Sequence, residues 1–516
     1  MSRSAASRSH LPRVVPLLLA VAAAAVVARS GAAVAQDLAS MEARTTVHRL
    51  VTGWTFVIVE RPTAPVFSFA TVADVGSAQE VPGITGLAHM FEHMAFKGSQ
   101  TIGTRDYAAE KPELDALEAA YQAYQTERLS PRPDARKLEA LRSAFQAKQR
   151  EAERFVARGD FDDLLSKEGG VGLNAFTAAD RTVYFYSLPA NKVELFAFAE
   201  SERFFHPVLR EFYEERDVVR EERRMRIESS PVGRLVEQWI TTAFQYHPYQ
   251  QPGIGSPSDL ESISITDARK FFDTYYGPGN LTTVIVGDVH AATLVPLLDK
   301  YFGRIPARPD PPPLRTVEPP QIAERTVVLR DPGQPLYIES YHKPAQTDAD
   351  QPVYDAIDDV LSRGRTSRLY RSLVRDKKVA VEVGSFSGFP GPKYPNLWAI
   401  YAFPAVGVTD EQVQAAIRAE IERLQREDVS DEELARFQTH ARAGLLRKLT
   451  SNDGLALELS EYQRLYGDWR ELFRYLDRLQ RVTKADIRRV AVATLQAPNR
   501  TVAMTVHQPS EGAQQP

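Results

Sequence analysis

Apolar residues in this chain either alternate in short bursts or recur at three- and four-residue steps, so the sequence reads as strands mixed with helices. Val47 to Glu60 (VHRLVTGWTFVIVE) predicts two short strands about Thr52-Gly53, and Val66 to Ala73 a third after the Arg61-Pro62 turn. Pro82-Gly83 opens a helix over Thr85 to Phe96. Leu114, Leu117, Tyr121 and Tyr124, then Leu138, Leu141 and Phe145, form two helical stripes separated by Pro131-Arg132-Pro133. They predict an antiparallel helical hairpin over about 107–157, a plain structural arm inserted on the surface. Leu173 to Leu188 (LNAFTAADRTVYFYSL) predicts two strands about a polar turn, and helices follow from about Lys192 to Phe205 and from about Phe212 to Thr242. The glycine run before those strands, Gly169-Gly170-Val171-Gly172, is a weak phosphate cradle, because no Gly-Lys-Ser/Thr and no helix follow it.

Two stretches look alike. ITDARKFFDTYYGPGNLTTVIV (265–286) and VTKADIRRVAVATLQAPNRTVAMTV (482–506) each show a Thr cap, an amphipathic helix, a Pro-containing turn, an Asn and a Val-rich strand. A duplicated architecture fits the length. The Pro-rich run Ile305 to Pro320 is the natural linker between the copies. The expected boundaries are a leader at 1–35, a first lobe at 36–310 carrying the hairpin, a linker at 311–322, a second lobe at 323–508 and a flexible tail at 509–516. The leader is read from Arg3, Arg8 and Arg13, the apolar run Val14 to Ala28, and Ala33-Val34-Ala35. That is a positive segment, a short apolar segment and a small-x-small cleavage site, so the mature chain is expected to be exported, periplasmic or secreted, with no stable membrane span.

Composition narrows the chemistry. The 516 residues include no cysteine, which excludes thiol nucleophiles, disulfides, thiolate zinc and iron–sulfur sites. With 63 Lys+Arg against 67 Asp+Glu, a net charge of −4 offers no footprint for nucleic acid.

A metal site must therefore use His and carboxylate. GLAHMFEHMAFKGS (86–99) puts His89 and His93 one helical turn apart on one face, about 6 Å from each other, with Glu92 bordering that face. Zinc binds neutral imidazole, and a catalytic site keeps three protein ligands and an open position for water, whose proton an unligated carboxylate takes. The bland alternative, a surface helix with two scattered His, fits poorly with Leu87, Met90, Phe91, Met94 and Phe96 around them. For a third ligand, FYEERDVVREERRMRI (212–227) carries Glu215 and Glu222 two turns apart on one face; charge density alone reads this as a solvated, salt-bridged helix.

The His-x-x-Glu-His order resembles the pitrilysin/insulinase family of zinc peptidases, the inverzincins, in a bacterial processing-peptidase-like two-lobe form. GGVGLNAFTAADRTVYF, EERDVVREERR and YYGPGNLTTVIVGDV resemble that family's edge-strand, third-ligand and lobe-ending motifs. The resemblance implies an α+β fold: two homologous α/β sandwich lobes, mostly antiparallel sheet with helices packed on it, plus the inserted hairpin. It implies one Zn2+ per chain on His89, His93 and Glu222, with Glu92 as general base and Glu215 supporting a ligand from behind. Asn174, Ala175, Phe176 and Thr177 match the strand that pairs an extended substrate backbone. The expected activity is hydrolysis of peptides or small unfolded proteins; the alternative is a non-catalytic structural or binding subunit of a peptidase-like complex. Two departures stand out. Residues 94–221 separate His93 from Glu222, longer than is usual, and the hairpin accounts for the excess. The second lobe's helix, Tyr354 to Leu373, has no His, so that lobe is expected to be metal-free. It retains Arg375 of the family's substrate-contacting Arg/Tyr pair, but Val381 stands where the Tyr would be. The implied assembly is a homodimer, or a heterodimer with a related chain supplying that pair.

Overall fold

Runs rich in Val, Ile, Phe and Thr form the strands of two sheets in the computed structural model, which describes residues 38–507. The leader at 1–35 and the tail at 509–516 lie outside the described residues. The first sheet holds β1 (Thr45–Arg49), β2 (Thr55–Glu60), β3 (Val66–Ala73), β4 (Val171–Thr177), β5 (Thr182–Pro189) and β6 (Leu281–Gly287), in the order β1-β2-β6-β3-β5-β4. Only β2 and β6 run parallel. The second sheet holds β7 (Arg325–Asp331), β8 (Tyr337–Lys343), β9 (Ala380–Phe389), β10 (Asn396–Pro404) and β11 (Arg500–His507), in the order β7-β11-β8-β10-β9. Here only β7 and β11 run parallel. With β1 set aside, the two sheets have one topology, so the lobes are duplicates in fold.

The paired stretches seen in the sequence close each sheet in the same way. Helices Ile265–Tyr275 and Lys484–Thr494 each start on a capping box, Ser264 with Asp267 and Thr483 with Asp486. The first cap is therefore Ser264 rather than the threonine, Thr266, expected from the sequence. Asn280 and Asn499 then play one role twice: each amide donates to the carbonyl five residues back, on Tyr275 and Thr494, and to a neighbouring strand end, at Asp74 and His342.

The lobes exchange helices. Pro231–Ala243 leaves the first lobe and lays Leu235, Trp239 and Ile240 on Ile338, Leu397, Ala399 and Ala503 of the second sheet. Asn452–Tyr466 returns the arrangement, putting Leu455, Leu459 and Tyr462 among Val57, Ala70, Val72 and Val284 of the first sheet. The central strands are thus buried on both faces, which explains their near-continuous apolar runs. Charges lock the exchange: Arg464, 3% exposed, donates to Asp74 Oδ1 at 2.9 Å and reaches Asp180 Oδ1 at 3.4 Å. Asp180 also accepts from the Tyr249 hydroxyl at 2.6 Å and the Lys393 amide at 2.8 Å.

Several elements depart from the expected spans. The helix read over Thr85 to Phe96 is Leu87–Met94. The helix read from Phe212 to Thr242 is two, Phe212–Arg223 and Pro231–Ala243, joined by a wide turn at Arg224–Glu228. Pro231 has no N–H to continue the ladder, and Ser230 caps the new helix by accepting from Gly233 N at 3.1 Å. In the second lobe, the helix read over Tyr354 to Leu373 stops at Ser362, and helical backbone resumes at Arg368, after a turn. The hairpin, Tyr107–Arg128 and Ala135–Ala152, is not a surface arm: Glu110, Leu117, Tyr121 and Phe145 are buried, and Tyr121 packs against Tyr213 with centroids 4.2 Å apart and the rings tilted by 38°.

Replacing Arg464 with Met leaves Asp180, fully buried, without its cation. The expected loss is about 3–5 kcal/mol of unfolding free energy in urea titration; a loss below about 1 kcal/mol would show that the exchange is held by its apolar surfaces alone.

Candidate metal centre

The His-x-x-Glu-His helix begins where Gly86 takes a left-handed conformation, φ 97°, that a side chain would resist. Its first amides are capped from outside: Glu80 Oε2 accepts from Gly86 N at 2.8 Å and Oε1 from Ala88 N at 2.7 Å. Burial pushes the Glu80 carboxyl up to about 8. Leu87, Ala88, Met90, Phe91 and Met94 are buried, and Phe91 meets Phe272 and Tyr276 at 5.6 and 5.2 Å between centroids. With that face spent on the core, the one left carries His89 and His93, whose rings stand 5.0 Å apart at 85°.

Helix Phe212–Arg223 presents Glu222 to both rings. Its Oε2 lies 3.6 Å from His89 Nε2 and 3.4 Å from His93 Nε2, and donor atoms of the three residues all fall within 4.8 Å of one another. Its Oε1 pairs with Arg226 Nη1 at 2.7 Å. One helical face serves twice, for Glu215 Oε2 meets His93 Nδ1 at 3.1 Å while Glu215 Oε1 meets Lys97 Nζ at 2.6 Å. With Nδ1–H donated to Glu215, His93 turns its Nε2 lone pair toward Glu222.

Electrostatics follow from burial and these pairings. Burial, then the charges of His93 and Arg226, holds the His89 ring down at about 3, so it is a neutral imidazole. Burial also works against the charged form of His93, but the Glu215 hydrogen bond and the carboxylates of Glu215, Glu222 and Glu92 outweigh it and raise the ring. Against its own burial, Glu215 is held low by His93 and Lys97. Glu92, partly buried, is raised by desolvation in spite of the Thr177 hydroxyl and His93 beside it. Two imidazole nitrogens, one kept neutral and one oriented from behind, meeting a carboxylate oxygen is the donor chemistry that suits zinc, and Glu92 stands next to the three without belonging to them.

Asn174, Ala175, Phe176 and Thr177 lie on β4, the edge strand, whose one partner is β5. Its other edge is open to a further strand. Asn174 is exposed, and Arg181 sits 5.6 Å over the Phe176 ring. Arg375 is exposed and pairs with Asp376 at 2.6 Å, and no hydrogen bond or ion pair among the described residues links it to the centre. Val381 is exposed on β9. In the second lobe, helix Gln351–Ser362 carries Asp355, Asp358 and Asp359 with the spacing of His89, Glu92 and His93. Each is engaged within the lobe, by the Tyr475 hydroxyl, the Ser385 hydroxyl and His440 respectively.

Four residues not anticipated from the sequence support the centre. Lys97 and Arg226 follow His93 and Glu222 by four residues, a spacing that could have flagged them. Arg210 and Glu110 are a hundred positions apart and gave no local signal. Arg210, 1% exposed, meets Glu110, fully buried, in two contacts of 2.9 and 3.1 Å. Its remaining N–H groups go to the carbonyls of Lys97, Ile102 and Ser99. The hairpin thereby ties the loop after the His-x-x-Glu-His helix to the start of the Glu222 helix.

A two-lobe sandwich with a His–His–carboxylate group beside an open edge strand defines the class of metallopeptidase-like folds. Residues 55–128 match the family described as "Insulinase (Peptidase family M16)" and residues 262–440 match "Peptidase M16 inactive domain". The zinc protease PqqE of Helicobacter pylori is 28% identical over 397 residues, covering 75% of this chain and 76% of that protein. The crystal structure of a protease from Helicobacter pylori aligns with a TM-score of 0.75 at 25% identity, over 90% of this chain and 99% of that one. The periplasmic protease PqqL of Escherichia coli aligns with a TM-score of 0.67 at 16% identity, over 90% of this chain and 48% of that one. The chain has the two-lobe fold of M16 peptidases and matches models of the M16 insulinase family in both lobes.

Glu110→Ala leaves the Arg210 guanidinium buried and unpaired, which should cost about 3–5 kcal/mol in urea unfolding. Adding Arg210→Met should return a good part of that loss. An additive double variant would contradict the pairing.

Proposed function

We propose that the chain is an exported zinc-dependent endopeptidase acting on peptides or small unfolded proteins. The observation that carries this reading is the convergence of His89, His93 and Glu222 within 4.8 Å, with an unligated Glu92 alongside. In this reading His89, His93 and Glu222 hold the ion, and Glu215 fixes the His93 ring through Nδ1. A zinc ion held there supplies Lewis acidity, so that a water yields its proton near neutral pH and the scissile carbonyl is polarised. Glu92 accepts a proton from the attacking water and delivers it to the leaving amine nitrogen, and its raised pKa makes it the better base. The substrate backbone lies along the open edge of β4, at Asn174 to Thr177, as an added strand.

Export is supported by the leader read at 1–35 and by the fold shared with the Escherichia coli neighbour, a periplasmic protease. Among the described residues no helix is long and apolar enough to cross a membrane. Assembly as a homodimer, or with a related chain that brings an Arg/Tyr pair, is proposed because Arg375 is turned to Asp376 and Val381 replaces the Tyr. The competing reading, a non-catalytic binding subunit, draws on the inactive-domain match over 262–440. It has to explain why all four residues of the first lobe's centre are in place.

Glu92→Gln should keep stoichiometric zinc by elemental analysis and lose peptide hydrolysis by about 100-fold or more. Glu222→Gln should lower zinc content itself. Wild-type cleavage by Glu92→Gln would sink the mechanism, and full zinc retention in Glu222→Gln would reassign the third ligand.

A further inference from the structure

A cavity of about 640 Å³ opens in the first lobe between the inserted hairpin and helix Ile265–Tyr275, and none of the metal-centre residues line it. The hairpin turns Tyr107, Lys111, Leu114 and Glu118 to it, at the three- and four-residue steps of one helical face. Thr266, Arg269, Lys270 and Asp273 line it from the other helix, again as one face. Buried Val208, Leu209 and Phe272 add apolar wall. The charges do not cancel evenly. Asp115 holds Lys111 at 2.6 Å, and Asp273 holds Arg308 at 3.3 Å. Glu118 accepts from the Tyr213 hydroxyl and from the amide and hydroxyl of Thr266. Every lining carboxylate is thus engaged, while the exposed side chains of Arg269 and Lys270 have no hydrogen-bond or ion-pair partner among the described residues. The exposed His206 ring lies against Phe205, with centroids 3.7 Å apart.

We propose that this cavity binds a small phosphate-bearing ligand of nucleotide size, and that its occupancy steadies the loop after the His-x-x-Glu-His helix. A phosphate dianion calls for two cations, and Arg269 and Lys270 are the two left over; the guanidinium fork matches phosphate oxygens in pairs. The volume lies inside the range of about 300–1,000 Å³ typical of organic-ligand pockets, well beyond what one free phosphate fills. Tyr107 and the Phe205–His206 stack offer flat faces to the body of such a ligand. The coupling follows from the segments that form the walls. Tyr107 and Lys111 flank Glu110, Leu209 precedes Arg210, and Gln100 lies inside the 97–102 loop whose carbonyls Arg210 holds. A ligand touching all three segments reinforces the buried pair that ties this loop to the start of the Glu222 helix. The site uses none of the residues assigned to peptide hydrolysis, so its occupancy is independent of the peptidase reading.

Isothermal titration calorimetry on the purified mature chain compares adenosine monophosphate, ribose phosphate and inorganic phosphate at matched ionic strength. One of the two organic phosphates should bind about 10-fold or more tightly than inorganic phosphate, and the one that leads identifies the body the cavity accepts. Arg269→Ala combined with Lys270→Ala should weaken that binding by about 10-fold or more. The same double variant should keep its urea midpoint and zinc content, because both side chains are exposed and unpaired. Adding the ligand to the wild type should slow hydrogen exchange over residues 97–110 by about 3-fold or more, and adding it to the double variant should not. Absence of binding, equal affinity for all three probes, or an affinity that the double variant keeps would overturn the site. Binding without protection of residues 97–110 would overturn the coupling to the loop.

Discussion

The meeting of Glu222 with His89 and His93 is the contact on which the rest of this structure depends. Two imidazoles and a carboxylate in partly dry surroundings are brought together there by helices from two distant stretches of chain. Such a group is costly unless its members are oriented and compensated. The surrounding residues do that in sequence: Glu215 takes the His93 Nδ1 proton, Lys97 balances Glu215, and Arg226 balances Glu222. Behind them, the buried Arg210–Glu110 pair anchors both helices through the backbone of 97–102.

Duplication explains the shape around that contact. Each lobe lends a helix to the other's sheet, so neither sheet is complete alone, and the cleft is bounded on one side by a lobe that carries no histidine at the matching helix. There, Asp355, Asp358 and Asp359 repeat the spacing of His89, Glu92 and His93 but satisfy themselves on Tyr475, Ser385 and His440. Hydrogen bonds internal to the second lobe occupy the place where the first lobe gathers donors for a metal. One architecture thus provides a chemical half and a half that shapes the cleft.

The centre was legible in the sequence because its signals are local. His89, Glu92 and His93 sit within one helical turn and a residue, so their spacing flagged them, whereas Glu215 and Glu222 share a face of one helix that charge density reads as solvated, and only the family resemblance singled them out. The sheets were legible through their apolar runs, and the duplication through the Asn280 and Asn499 segments. What escaped was non-local. Nothing near Glu110 announces Arg210, and the hairpin read as a surface arm because its polar residues mask how Leu117 and Tyr121 seat against the Glu222 helix. The break at Ser230-Pro231 was hidden by strong helical periodicity on both sides, although proline chemistry signals it plainly. The helix exchange between lobes depends on long-range packing that no window of sequence contains.

Zinc K-edge X-ray absorption on the purified mature chain decides whether His89, His93 and Glu222 form a zinc site. The prediction is one zinc per chain with multiple-scattering features of two imidazoles and a first shell completed by oxygen, reduced to weak binding with no more than one imidazole in the His89→Ala variant. A chain that purifies without zinc and fails to take it up, or a spectrum lacking imidazole that His89→Ala leaves unchanged, would contradict it.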